Sequence, residues 1–153
     1  MCVLSVIFPC YNESSNIVGI ISSIKSALQG RNDVEIILVD NGSTDSTPQV
    51  LKQALQGEHN KQFKTIRIEK NIGYGHGIMT GAKNASGEVI AWTHADLQTD
   101  PTDVLEAYKK YIAHPIFPNC IMKGRRVGRN FVDMIFTAGM SLLSTSLLRV
   151  PLS

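Results

Sequence analysis

The chain has 153 residues, of which 43% are apolar, and its 15 basic and 13 acidic side chains leave a formal net charge of +2. That length and apolar share suffice for a folded domain with its own core and exclude a disordered chain. Charges of both signs are scattered without a long basic run, which argues against a nucleic-acid partner. Cys2, Cys10 and Cys120 are odd in number and lack CxxC spacing, so a disulfide framework or zinc site is disfavoured and a reducing, cytoplasmic setting is expected.

Met1 leads straight into the apolar run Val3 to Phe8 with no basic segment before it, so the N-terminus reads as a buried strand rather than a signal peptide. After Pro9 and a polar turn, apolar residues recur at Ile17, Ile20, Ile21, Ile24, Ala27 and Leu28, the period of an amphipathic helix. Val34 to Val39 predicts a second strand. Thr47 followed by Pro48 reads as an N-cap and first helical position ahead of Val50, Leu51, Ala54 and Leu55.

A third strand is expected at Thr65 to Ile68, then a glycine-rich stretch from Asn71 to Gly77 and a small-residue helix around Ile78 to Ala85. Val89 to Trp92 predicts a fourth strand, and a helix from about Pro101 would bury Val104, Leu105, Tyr108 and Ile112. Trp92 and the methionines are expected in the core. His114 to Pro118 reads as a rigid turn, Asn119 to Lys123 as a short fifth strand, and Phe131 to Leu148 as an amphipathic helix too polar to span a bilayer. The chain stops at Ser153, shortly after Pro151, with no further strand, which reads as a fragment. Strands alternating with helices and no tight hairpin predict an α/β layer structure whose sheet is largely parallel. Ligands of such sheets bind beyond the carboxyl ends of the strands, so the informative loops follow Phe8, Val39, Ile68 and Trp92.

The first two loops suit a nucleoside. Tyr11 offers a flat face to a base, and Glu13 and Asp40 supply acceptors for ring N–H groups or ribose hydroxyls. Asp45 and Thr47 are equally readable as helix-capping residues. Gly73-Tyr74-Gly75-His76-Gly77 fits a dinucleotide fingerprint poorly, because it follows the third strand and Thr80 stands where a small residue belongs. A flexible loop with close helix packing is its plainer explanation. In the fourth loop, Asp96 and Gln98 lie two residues apart after a strand and can point to one side in extended backbone. Carboxylate and amide oxygens suit Mg²⁺ or Mn²⁺. A unit charge pair about 4 Å apart at an effective dielectric near 20 is worth roughly 4 kcal/mol, about three powers of ten in rate if expressed only in the transition state. Asp100 before Pro101 reads as a helix cap.

Four segments in order carry a resemblance: Phe8-Pro9-Cys10-Tyr11-Asn12-Glu13, Val39-Asp40-Asn41-Gly42-Ser43-Thr44-Asp45, Asn71-Ile72-Gly73-Tyr74-Gly75 and His94-Ala95-Asp96-Leu97-Gln98-Thr99-Asp100-Pro101. The chain resembles family 2 glycosyltransferases of GT-A fold and, among them, dolichyl- and polyprenyl-phosphate sugar transferases. The resemblance implies a Rossmann-like nucleotide-binding domain over residues 1–124, and a basic loop and helix over 125–153 that begin an acceptor- or membrane-facing part. It implies a nucleotide-sugar site at Pro9, Tyr11, Glu13, Leu38, Asp40, Gly75, Ala95, Asp96 and Arg125, with Asp96 and Arg125 catalytic. Metal ligation by Asp96, Gln98 and His94 is implied too, with Mg²⁺ or Mn²⁺ as cofactor.

The implied activity is inverting transfer of a sugar from a GDP- or UDP-sugar to a polyprenyl or dolichyl phosphate, or to a glycan, in the cytoplasm or at the cytoplasmic membrane face. His94 departs from the commonest pattern, which has Asp at that place. A neutral imidazole is a softer ligand, better tolerated by Mn²⁺ than by Mg²⁺, and packing or a hydrogen bond to the diphosphate are its alternatives. Arg125, Arg126 and Arg129 read either as phosphate-binding arginines or as a solvated cluster. The rival to an enzyme is a non-catalytic nucleotide-binding or docking fragment; a dinucleotide-dependent oxidoreductase is weaker.

Overall fold

The computed structural model describes residues 2–56, 62–96 and 99–124. The expected fifth strand lies within them, whereas Gln98, the arginines from Arg125 onward and the helix expected from Phe131 lie outside them. The chain divides into a compact unit through Cys120 and a second beginning at Ile121.

Four strands, β1 (Leu4–Cys10), β2 (Val34–Asn41), β3 (Phe63–Ile68) and β4 (Val89–Trp92), alternate with helices α1 (Ile17–Leu28), α2 (Thr47–Ala54), α3 (Tyr74–Lys83) and α4 (Pro101–Ile112). The strands form one parallel sheet in the order β3-β2-β1-β4, in agreement with the α/β expectation. Period-two alternation along the strands splits the core in two. Leu4, Val6, Phe8, Val34, Ile36 and Leu38 face α1, with α2 and α4 beside it. Ile7, Ile37 and Val39 face the other way and pack with Ala82 of α3. Helices therefore cover both faces, as parallel sheets require. No described helix is long and apolar enough to cross a membrane.

Strand order makes a site here. β1, β2 and β3 step outward to one side, and the chain then crosses to β4 on the other side of β1. The loops after β1 and β4 diverge at this switch, leaving a crevice at the carboxyl ends of the strands.

Several expectations need correction. α2 is preceded by Ser46 as N-cap, so Thr47 is its first residue, and the Thr47 hydroxyl accepts from the backbone N–H of Glu13 at 2.8 Å instead. The glycine-rich stretch is not a loop throughout: α3 starts at Tyr74. Its glycines serve contact, because a Cβ on Gly81 would stand 2.5 Å from Ile7 Cγ2 and one on Gly77 3.3 Å from Asn41 and Pro9. Residues 119–124 form turn and irregular backbone, since no described strand offers Ile121 and Met122 a ladder. Ile112 is half exposed at the end of α4. Trp92 and Met79 are 52% and 56% exposed rather than core, and Met122 is exposed as well. α3 lies over β1 and β2, so Ile90 and Trp92 of β4 project from the same sheet face beside it without cover from the described residues.

Candidate functional site

The loops after β1 and β2 are stitched together by side chains. Asn12 takes a left-handed backbone (φ 55), which Asn tolerates better than most residues, and its Oδ1 accepts from the backbone N–H groups of Thr44 at 2.9 Å and Asp45 at 3.4 Å. In return the N–H of Asn12 donates to Ser43 Oγ at 3.0 Å and that of Ser14 to Asp45 Oδ2 at 3.3 Å. Asp45 also accepts from the N–H of Thr47 at 2.9 Å, so both capping and cross-loop roles fall to it. These bonds hold its carboxyl down at about 2, the Thr47 contribution being largest.

Tyr11 stands 45% exposed above this frame. Glu13 is half-buried and its Oε2 accepts from Asn16 Nδ2 at 2.6 Å at the start of α1. Asp40 is only 3% exposed. Its Oδ1 accepts from the N–H of Ser43 at 3.0 Å and its Oδ2 from Arg67 Nη1, while Arg67 Nη2 donates to the Ser43 carbonyl at 3.2 Å. A carboxylate offers about four lone-pair sites, so two acceptor positions of Asp40 are not used by these bonds. Leu38 is wholly buried beneath Asp40 and Ala95 lies in the same core, so both side chains support the site from below. Cys10, adjoining Tyr11, is equally buried, and burial, with Asp40 and Glu13 adding to it, pushes its thiol up to about 12. It is no nucleophile.

The third loop joins the same frame. Gly42 has φ 75, and a Cβ there would stand 2.3 Å from the backbone N of Asn71. Asn71 Oδ1 accepts from the N–H of Gly73 at 2.8 Å, and Asn41 Nδ2 donates to the Gly73 carbonyl at 3.1 Å. The turn at Gly73 (φ 117) thus sets the entry of α3, and Gly75 in its first turn is exposed.

In the fourth loop the N–H of Thr93 continues the ladder to the Ile7 carbonyl at 3.1 Å, and Thr93 Oγ1 lies 3.0 Å from Thr99 Oγ1, drawing the two ends of the loop together. His94 stacks on Tyr74, with ring centroids 5.3 Å apart and planes inclined by 12°. Burial and then the charge of Asp96 raise the Tyr74 hydroxyl above its usual range. Asp100 caps α4 as expected, its Oδ1 accepting from the N–H of Thr102 at 2.9 Å. No group of three or more His, Cys, Asp or Glu side chains among the described residues forms a metal cage. The Asp96 carboxylate suits Mg²⁺ or Mn²⁺, ions that one or two carboxylates can hold together with substrate oxygens, and the His94 imidazole, a softer donor, suits Mn²⁺ better.

Pro9 and Asp40 near the ends of β1 and β2, Tyr11 and Glu13 after β1, Gly75 in the first turn of α3, and His94 and Asp96 after β4 therefore lie toward one end of the sheet, whereas Gln98 and Arg125 are outside the described residues. Sequence reasoning missed Arg67, Asn12, Asn41 and Tyr74. Arg67 alone had a signal, a cation between the apolar Ile66 and Ile68, but its partner becomes visible only once β2 and β3 are paired with Asp40 opposite Arg67.

The family model "Glycosyl transferase family 2" matches residues 5–144. An undecaprenyl-phosphate 4-deoxy-4-formamido-L-arabinose transferase of Proteus mirabilis (strain HI4320) is 34% identical over 102 residues, covering 66% of this chain and 31% of the relative. The protein of the same name from Pseudomonas fluorescens (strain Pf0-1) is also 34% identical over 102 residues, covering 66% and 30%. The chain thus spans about a third of the length of these relatives. Among solved structures, a mannosyltransferase from Pyrobaculum calidifontis in complex with GDP-Man and Mn²⁺ superposes with a TM-score of 0.65 at 28% identity, over 73% of this chain and 32% of that one. S. aureus TarS 1-349 matches at 0.57 and 24% identity, over 72% and 32%, a likeness of fold. By the family match over most of its length, the chain belongs to glycosyl transferase family 2.

Proposed function

We propose that the chain forms the donor side of an inverting glycosyltransferase that moves a sugar from a nucleoside diphosphate sugar to a polyprenyl phosphate. The observation that carries this reading is the gathering of Tyr11, Asp40 and Asp96 at the carboxyl ends of β1, β2 and β4, around the switch in strand order. Family membership supports the reaction class, the names of the curated relatives the acceptor class, and the mannosyltransferase complex the donor class.

Tyr11 stacks on the base, and Glu13 and Asp40 accept from base and ribose; Pro9 and Gly75 flank the nucleotide, with Leu38 and Ala95 beneath. Asp96, with His94 and Gln98, would hold Mg²⁺ or Mn²⁺, and Arg125 would contact the donor's diphosphate. When bound, the cation offsets the charge that develops on the leaving group. An oxygen of the acceptor phosphate bonds to the anomeric carbon from the face opposite the donor's glycosidic bond. That bond breaks, and its electron pair leaves with the nucleoside diphosphate. The acceptor is already anionic, so no general base is needed to remove a proton. Residues 125–153 would face the lipid acceptor.

Calorimetric titration with UDP and GDP, each with Mn²⁺ and with EDTA, tests the reading. One nucleotide is expected to bind only with metal, and Asp96→Ala to abolish that binding; affinity unchanged by metal would remove the role of Asp96. His94 in the place of a carboxylate favours a second reading, nucleotide binding without turnover. Slow release of sugar to water from the matching donor separates the two, since only a working donor site hydrolyses it.

A further inference from the structure

Tyr74 follows a residue whose backbone is pinned by two asparagine side chains. The turn before it is fixed from two sides, by Asn71 Oδ1 on the Gly73 N–H (2.8 Å) and by Asn41 Nδ2 on the Gly73 carbonyl (3.1 Å). Asn41 is buried at the end of β2, and α3 presses on it through Gly77, where a Cβ would stand 3.3 Å from its amide. The phenol ring therefore stands on a fixed support and lies nearly parallel to His94, 5.3 Å between centroids. His94 lies two residues before Asp96, on a loop whose ends are joined through Thr93 and Thr99.

Stacking occupies a face of the imidazole. Its two nitrogens lie in the ring plane and remain at the edge, while tipping of the ring is opposed by contact with the phenol. An exposed histidine without such support samples several rotamers, and immobilising it on a ligand costs about three- to tenfold in affinity. We infer that Tyr74 is a positioning residue, which fixes the His94 imidazole so that a ring nitrogen meets the donor's diphosphate and its cation beside Asp96. The inference rests on the donor-site reading above. It gives His94 a defined function where the commonest family pattern has a carboxylate.

A double-mutant cycle tests it, with Mn²⁺-dependent binding of UDP and GDP measured for the unchanged chain, Tyr74→Ala, Tyr74→Phe, His94→Ala and Tyr74→Ala with His94→Ala. Tyr74→Ala is expected to weaken binding about three- to tenfold. Tyr74→Phe keeps the ring and restores binding to within about twofold, and in the His94→Ala background Tyr74→Ala costs nothing further. An equal loss in both backgrounds would mean that Tyr74 merely shapes the start of α3, and overturns the inference. So would a Phe variant as weak as the Ala variant.

Proton NMR of the His94 ring with Mn²⁺ alone gives a second test that needs no nucleotide. Sub-stoichiometric Mn²⁺ is expected to broaden the His94 ring signals in the unchanged chain and in Tyr74→Phe, and to do so less in Tyr74→Ala. Equal broadening in all three overturns the inference. If the unchanged chain binds neither nucleotide, the donor-site reading fails by itself, and the Mn²⁺ experiment decides the role of Tyr74.

Discussion

Asp40 and Arg67 face each other across neighbouring strands, and the pair is unequal: the carboxylate is buried, whereas the guanidinium is 42% exposed. Arg67→Met would leave a buried carboxylate with only the N–H of Ser43 as partner among the contacts described. Removing one partner of a fully buried pair costs about 3–5 kcal/mol, and screening at the exposed arginine reduces this to about 1–3 kcal/mol, measurable by urea unfolding. Asp40→Asn in the same background should recover part of the loss, because no charge is then stranded. Cys10 gives a prediction in pH. Its folded thiol is raised from 9.0 to about 12, so the unfolded chain releases its proton first, and stability that is full below about pH 9 declines as pH rises toward 12. Cys10→Ala is expected to flatten that alkaline limb in thermal melts. In the native chain Cys2 and Cys120 should react with a thiol reagent while Cys10 does not, in line with their partial exposure.

At the scale of elements, α3 is defined by how closely it lies on the sheet. Gly81→Ala improves helix propensity by about 1 kcal/mol, yet its methyl would stand 2.5 Å from Ile7 Cγ2. Overpacking of this kind costs about 1–3 kcal/mol, so the net change is expected to be neutral to destabilising by about 2 kcal/mol in urea unfolding. A clear gain in stability would show that α3 can lift off without cost. α1 and β4 were legible to the residue, because their apolar periods are uninterrupted and Pro or Gly stands near their ends. The start of α3 was not, since Tyr74-Gly75-His76-Gly77 has poor helix propensity and is held in place by Asn41 and Asn71 from outside the helix. Trp92 was misplaced for a related reason. Its size predicts burial, but burial depends on which strand flanks β4 and where α3 crosses, and neither is written locally. The acidic candidates Glu13, Asp40 and Asp96 stand out in the sequence because each lies at or just after the end of a strand, whereas Tyr74 and Arg67 meet their partners only about 20 or more residues away.

For the whole molecule, hydrogen bonds join the loops after β1 and β2 to each other and the loop after β3 to Asn41 at the end of β2, so this end of the sheet should behave as one cooperative body. A ligand that binds only the folded chain stabilises it by about 2.7 kcal/mol at one hundred times its Kd. For a domain of this size that raises Tm by roughly 5–15 °C. The matching nucleotide with Mn²⁺ is expected to produce such a shift in the unchanged chain and little or none in Asp96→Ala. A shift of equal size in both would place the metal elsewhere. The exposed side of β4 has one more consequence. Trp92 is the only tryptophan in the sequence, stands half in solvent and lies two residues before His94. The chain therefore carries its own optical reporter: its indole emission originates at the mouth of the crevice, and quenching or a blue shift on adding a donor would register events at that loop without any label.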